Sequence, residues 1–111
     1  DKEKDIKHAP FGTIGLESAF SASHTELIKH GLDTIDIIKL FTSGPSNVLN
    51  LKINPFEIGS NANLTVIDPK KTWIFNEEDI CSNSKNSIMI GQKFIGRVDL
   101  TISKKYGFGY F

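Results

Sequence analysis

Apolar residues recur with a helical period from Leu16 to His30. Leu16, Phe20, Leu27 and Ile28 fall on one side, and Glu17, Glu26, Lys29 and His30 fall elsewhere. The middle of that stretch, Ser21-Ala22-Ser23-His24-Thr25, is small and polar, which suits close packing against a neighbouring surface. Gly31 stands where a helix-terminating glycine belongs. Asp33 or Thr34 can cap a second helix with Asp36 in its first turn, and Ile37, Ile38, Leu40 and Phe41 supply its buried stripe. Gly44 is expected to end it. Pro45 can open a short third helix running through Val48 and Leu49, with Asn50 as a left-handed terminator.

Beyond Leu51 the period changes. Ile53 and Ile58 flank a Pro-Phe-Glu turn, residues 59–63 form a loop, and Leu64-Thr65-Val66-Ile67 reads as a strand ended by Asp68-Pro69. Thr72-Trp73-Ile74-Phe75 reads as a second strand. Residues 76–93 are mostly loop, with Asn76 capping a turn through Ile80. From Lys93 to Ile102, Phe94, Val98, Leu100 and Ile102 share one parity. Ser103-Lys104-Lys105 is an expected hairpin turn, after which Tyr106, Phe108 and Tyr110 alternate with glycines. The fold class is therefore α/β, helical in its first half and β in its second. The helices read as the outer layer of something larger, with a small sheet beside them.

Composition narrows the function little. The 111 residues make at most one domain, with 39% hydrophobic and 23% charged residues. Thirteen basic and thirteen acidic residues cancel, so nothing electrostatic points to nucleic acid or an anionic membrane. No apolar run approaches the ~20 residues that span a bilayer, and no signal peptide is apparent. Cys81 is the single cysteine. It has no basic neighbour to activate it and reads as an incidental thiol. A start at Asp1-Lys2-Glu3 rather than Met reads as the middle of a longer protein or a truncated gene.

The densest signal is His8-Ala9-Pro10-Phe11-Gly12-Thr13-Ile14-Gly15-Leu16-Glu17, a glycine-punctuated turn running into a helix. Glycines flanking Thr13 and Ile14 let the backbone pass close to something a Cβ would exclude. This stretch resembles the A-P-F-G-x-x-G-L-E segment that follows the last barrel strand of class I dihydroorotases. Three further runs resemble the same family in the same order. Phe41 to Leu51 resembles a helix followed by N-P-A-x-x-x-G-L, with Gly44 in place of Asn and Asn50 in place of Gly. Ile58 to Asp68 resembles I-x-x-G-x-x-A-D-L-x-x-x-D, with Asn63 at the usual Asp. Trp73 followed by Ile80-Cys81-Ser82-Asn83-Ser84-Lys85-Asn86-Ser87 resembles the W…S-K-S-x-N region, its Ser-Lys-Asn-Ser in a form similar to that of Bacteroidetes-type enzymes. Gly96-Arg97-Val98 matches the closing G-x-V strand.

The resemblance implies the C-terminal part of a (β/α)8 metal-dependent hydrolase. Residues 1–51 would be the end of the barrel, and residues 52–111 the last strands of a small composite β-domain. It implies a hydrolase that interconverts N-carbamoyl-L-aspartate and L-dihydroorotate in cytoplasmic pyrimidine synthesis, with two zinc ions whose ligands lie outside this chain. His8 aligns with the residue before the later A-P-F-G, not with the metal-site D-H-A-P-H segment, and is not assigned as a ligand. No catalytic and no metal-binding residue is expected within the chain. The residues implied to bind substrate are Phe11 and Gly12. From the residues alone, Phe11 would be a core aromatic beneath a turn. Glu17 reads as a helix-start carboxylate, His24 as a packing residue and His30 as a partner of a helix C-terminus. Trp73 is expected to pack, and Ser84-Lys85 lacks a general base for acyl transfer.

The family's further implications are a small-molecule substrate and either a homodimer or a complex with aspartate transcarbamoylase. Two alternatives stay open: another cyclic amidohydrolase such as an allantoinase or hydantoinase, and a non-catalytic dihydroorotase-like subunit. The 111 residues by themselves are too short for a barrel and are expected to be inactive.

Overall fold

The computed structural model describes residues 12–51, 56–104 and 106–109. Expectations for His8, Phe11, Ile53 and Tyr110 lie outside the described residues. The element order is α1 (Ala19–Lys29), α2 (Thr34–Phe41), α3 (Ser43–Val48), β1 (Ala62–Ile74), β2 (Lys93–Lys104) and β3 (Tyr106–Gly109). The strands form one antiparallel sheet in the order β1-β2-β3. Helix α1 lies on the central strand β2, with α2 against α1 and α3 against α2.

α1 starts three residues later than the apolar period suggests, because Leu16–Ser18 form a turn. Its end is as expected. The Gly31 N–H donates to the Ile28 carbonyl and the Leu32 N–H to that of Leu27, with Gly31 at φ +87°. This is the paired pattern of a Schellman terminus. Asp33 caps α2, its carboxylate accepting from the Asp36 N–H at 2.8 Å. The break between α2 and α3 falls at Thr42 rather than at Gly44, which lies inside α3 together with Pro45. Asn50 is left-handed at φ 53°, as expected.

The helix faces are a correction to the apolar stripes. Leu16 is 88% exposed, and α1 buries Ser21, His24 and Thr25 instead. On α2 only Ile37 is fully buried, while Leu40 and Phe41 are exposed. The small polar stretch, not the apolar one, is what faces the sheet.

The two strands expected at 64–67 and 72–75 are one strand, β1. Its register against β2 shifts twice, between Val66 and Ile67 and between Asp68 and Thr72. Pro69 lies in the second shift, where its missing N–H breaks no ladder bond. The Asp68 carboxylate accepts from the N–H groups of Lys70 and Lys71 there. Lys71 reaches across to Asp99 at 2.9 Å, joining this irregularity to the one opposite Asp99. The Asn76 turn forms as expected, a 3-10 turn over Glu77–Asp79 closed by reciprocal Asn76 and Asp79 bonds.

Phe75, Ile80 and Phe94 make the buried core, with Ile14, Ala22, Trp73 and Met89 packed against it. Trp73 packs edge-on to Phe75 and Phe94, donates its indole N–H to the Gly96 carbonyl and carries the Arg97 guanidinium over its ring at 4.6 Å. Ile14 carries the glycine-rich turn into this core, which places the turn relative to both strands.

Candidate functional site

The candidate site is the turn Gly12–Glu17 and the loop Ser82–Ile88 that holds it. Gly12 has φ +72°, the left-handed region in which a side chain is strained. A Cβ built on Gly12 or Gly15 meets no atom of the described residues within 4 Å. Both glycines therefore leave open space on this side of the turn. At Gly12 the backbone conformation is the reason for glycine, and nothing in the structure explains Gly15.

The turn is clamped along its length. The Asn86 side-chain amide donates to the Gly12 carbonyl at 2.7 Å. The Asn86 carbonyl accepts from the Ile14 N–H at 2.9 Å and from the Thr13 hydroxyl at 3.1 Å. The Ile88 N–H donates to the Thr13 hydroxyl oxygen at 3.2 Å. At the helix end, the Glu17 carboxylate accepts from the Ser82 hydroxyl at 2.6 Å and from the Ser82 N–H at 2.9 Å. The Ser82 hydroxyl and backbone donors around the carboxyl hold Glu17 below its ordinary 4.5. Among the described residues, its second oxygen, Oε2, is buried without a hydrogen-bond partner. Glu17 is therefore a tether between turn and loop, a role that reading it as a helix-start carboxylate missed. The signal was present in the motifs, since Glu17 and Ser84-Lys85-Asn86 both belong to runs that resemble the same family.

His24 is a packing residue, as expected, and its ring also joins three elements. Nδ1 lies 2.8 Å from the Ile95 carbonyl, to which it can only donate, and Nε2 lies 2.9 Å from the Thr34 hydroxyl. The Ile95 N–H donates to the Thr25 hydroxyl oxygen at 2.8 Å. Side chains of α1 thus satisfy both backbone groups of Ile95 at the edge of the β1–β2 irregularity. The ring sits on Gly96, which has φ +92°, and an added Cβ there would lie 2.7 Å from Nδ1. This close approach is the physical reason for the glycine of the Gly96-Arg97-Val98 motif.

Among the described residues, no group of three or more His, Cys, Asp or Glu could hold a metal ion. With both ring nitrogens of His24 engaged, the described part of the chain does not fit a metal centre. Gly12 of the implied substrate pair is placed at the exposed, clamped turn. Phe11 lies outside the described residues. Cys81 is exposed and free. Among the described residues, no helix is long and apolar enough to cross a membrane.

No family model matches the chain. Among curated proteins, it is 38% identical over 103 residues to a dihydroorotase of Caldicellulosiruptor saccharolyticus, covering 92% of this chain and 24% of the relative. It is 36% identical over 102 residues to a dihydroorotase of Elusimicrobium minutum, covering 91% and 24%. It is 39% identical over 98 residues to a dihydroorotase of Chlorobaculum tepidum, covering 87% and 22%. The chain is dihydroorotase-like along about nine-tenths of its length, and it spans about a quarter of the length of the curated relatives it matches.

Proposed function

We propose that this chain is the C-terminal segment of a dihydroorotase, a hydrolase that opens and closes the cyclic amide of L-dihydroorotate. Its similarity to dihydroorotases from several bacteria over nine-tenths of its length carries the reading. Residues 1–51 would end a (β/α)8 barrel, and residues 52–111 would contribute strands to a small β-domain. The packing of His24 on Gly96 and the bond between Ser82 and Glu17 are among the contacts that would join these two parts.

The chemistry this chain supplies is binding and placement. The polar dihydroorotate ring, with its amide and ureide N–H and C=O groups, is recognised by backbone groups at Phe11 and Gly12. Gly12 suits this role, because it is exposed, left-handed and held by Asn86. The two zinc ions of the family would be held by residues of other segments, and no reaction step runs through the described residues. A homodimer or an aspartate transcarbamoylase complex would form through the full-length protein.

The test is a substrate comparison on the purified full-length protein, supplied with zinc. We expect turnover of L-dihydroorotate and little or none of allantoin or hydantoin. Turnover of allantoin or hydantoin in preference would replace the reading with another cyclic amidohydrolase. Absence of any turnover from a folded, zinc-loaded protein would leave a non-catalytic subunit.

A further inference from the structure

We propose that Asn86 is a positioning residue for substrate. Resting on the dihydroorotase reading, it holds the Gly12 peptide in the orientation that meets the ring, from a loop 74 residues away in sequence. The other bonds given between turn and loop use the Asn86 backbone, the Thr13 hydroxyl or the Ser82–Glu17 pair and would survive a change of the residue at position 86. The bond to the Gly12 carbonyl is different. It uses the side-chain amide of Asn86, and its 2.7 Å length is short for an N–H···O bond. It lands on one of the two glycines of the turn, the one in the left-handed region. Glycine at φ +72° has the widest choice of alternative conformations, so the peptide following Gly12 needs an external partner to stay in one of them.

The surrounding bonds narrow what Asn86 itself is for. Ile14 packs against the buried core and Glu17 is tethered to Ser82, so the body of the turn is fixed without the amide. The amide adds control only over the Gly12 end, where the substrate contact is expected. A residue there for stability alone would be better placed on the buried part of the turn. Asn86 Nδ2 acts on an exposed carbonyl, where the net stabilisation by a hydrogen bond is small. Its consequence is therefore read in substrate affinity more than in folding.

The experiment is steady-state kinetics of the full-length protein with Asn86→Asp, Asn86→Ser, Thr13→Val and Ile37→Ala. Asn86→Asp keeps the side-chain shape and turns the donor into an oxygen facing the Gly12 carbonyl. We expect KM for dihydroorotate to rise about tenfold or more with kcat little changed, the signature of lost substrate binding rather than lost chemistry. Asn86→Ser should raise KM in the same direction. Thr13→Val, which spares the Gly12 bond, should raise it less. Ile37→Ala, in the buried position of α2, should lower the melting temperature and leave KM unchanged. If Asn86→Asp does not fold, the Asn86→Ser and Thr13→Val pair decides by the same order. A KM within twofold of wild type in folded Asn86 variants, whatever their melting temperature, would overturn the positioning role. Wild-type protein that does not turn over dihydroorotate would instead overturn the function on which the role rests, and the role with it.

Discussion

Glu17 shows how one side chain can tie distant segments together and make that tie depend on pH. Donors from Ser82, above all its hydroxyl, keep the carboxyl below 4.5, so the folded protein takes up this proton at lower pH than the unfolded chain does. The tether is then whole above the ordinary carboxylate range and is lost as pH falls through the lowered folded value. Thermal melts of the full-length protein between neutral pH and about pH 3 should show Glu17→Gln destabilised at neutral pH, with the gap to wild type closing in acid. A gap that stays constant across that range would mean the Ser82 contact does not depend on the charge. At this scale the sequence was only partly legible. Asp33, Asn50, Gly31 and Asn76 declare their roles because capping and left-handed backbone are local. Glu17 and Asn86 do not, because their partners lie 65 and 74 residues away and no spacing rule connects them.

At the scale of elements, the docking of α1 on β2 depends on the absence of one side chain. Gly96 takes a left-handed φ and leaves room for the His24 ring, which holds Ile95 and Thr34. Gly96→Ala would meet both a strained backbone and a 2.7 Å clash with Nδ1. Chemical denaturation should show a loss of about 3 kcal/mol, and a loss under about 1 kcal/mol would mean the helix can lift off without consequence. The existence of α1, β2 and the β2–β3 hairpin was readable from periodicity. The buried face of α1 was half readable: Ser21–Thr25 announced close packing, while the apolar stripe pointed elsewhere. A leucine-and-phenylalanine stripe outweighs a serine-and-histidine stripe in any apolar count, yet close approach to Gly96 selects the small side. Asp68-Pro69 likewise has the chemistry of a turn, and the chain uses it for an irregularity inside β1, paired with β2 on both sides and closed by the Asp68 carboxylate accepting from the Lys70 and Lys71 N–H groups.

Over the whole molecule, few large apolar residues are fully buried, namely Ile37, Phe75, Ile80 and Phe94 among the described ones. Ile35, Leu40, Phe41, Val48, Leu49 and Leu51 on and after α2 and α3 are all exposed. Such a surface is expected of a segment whose helices cover part of a larger body. The isolated 111-residue chain should therefore bind a hydrophobic-surface dye or self-associate, and it should not turn over dihydroorotate. A monomeric, dye-silent chain would contradict that view of its surface, and a catalytically active one would contradict the division of labour proposed for it.

The most direct test of the central claim is a crystal structure of the full-length protein with L-dihydroorotate bound. The ligand is expected within hydrogen-bonding distance of the Gly12 backbone, with the Asn86 amide on the Gly12 carbonyl. A ligand seated away from this turn, or a Gly12 carbonyl that no longer meets Asn86 in the complex, would contradict it.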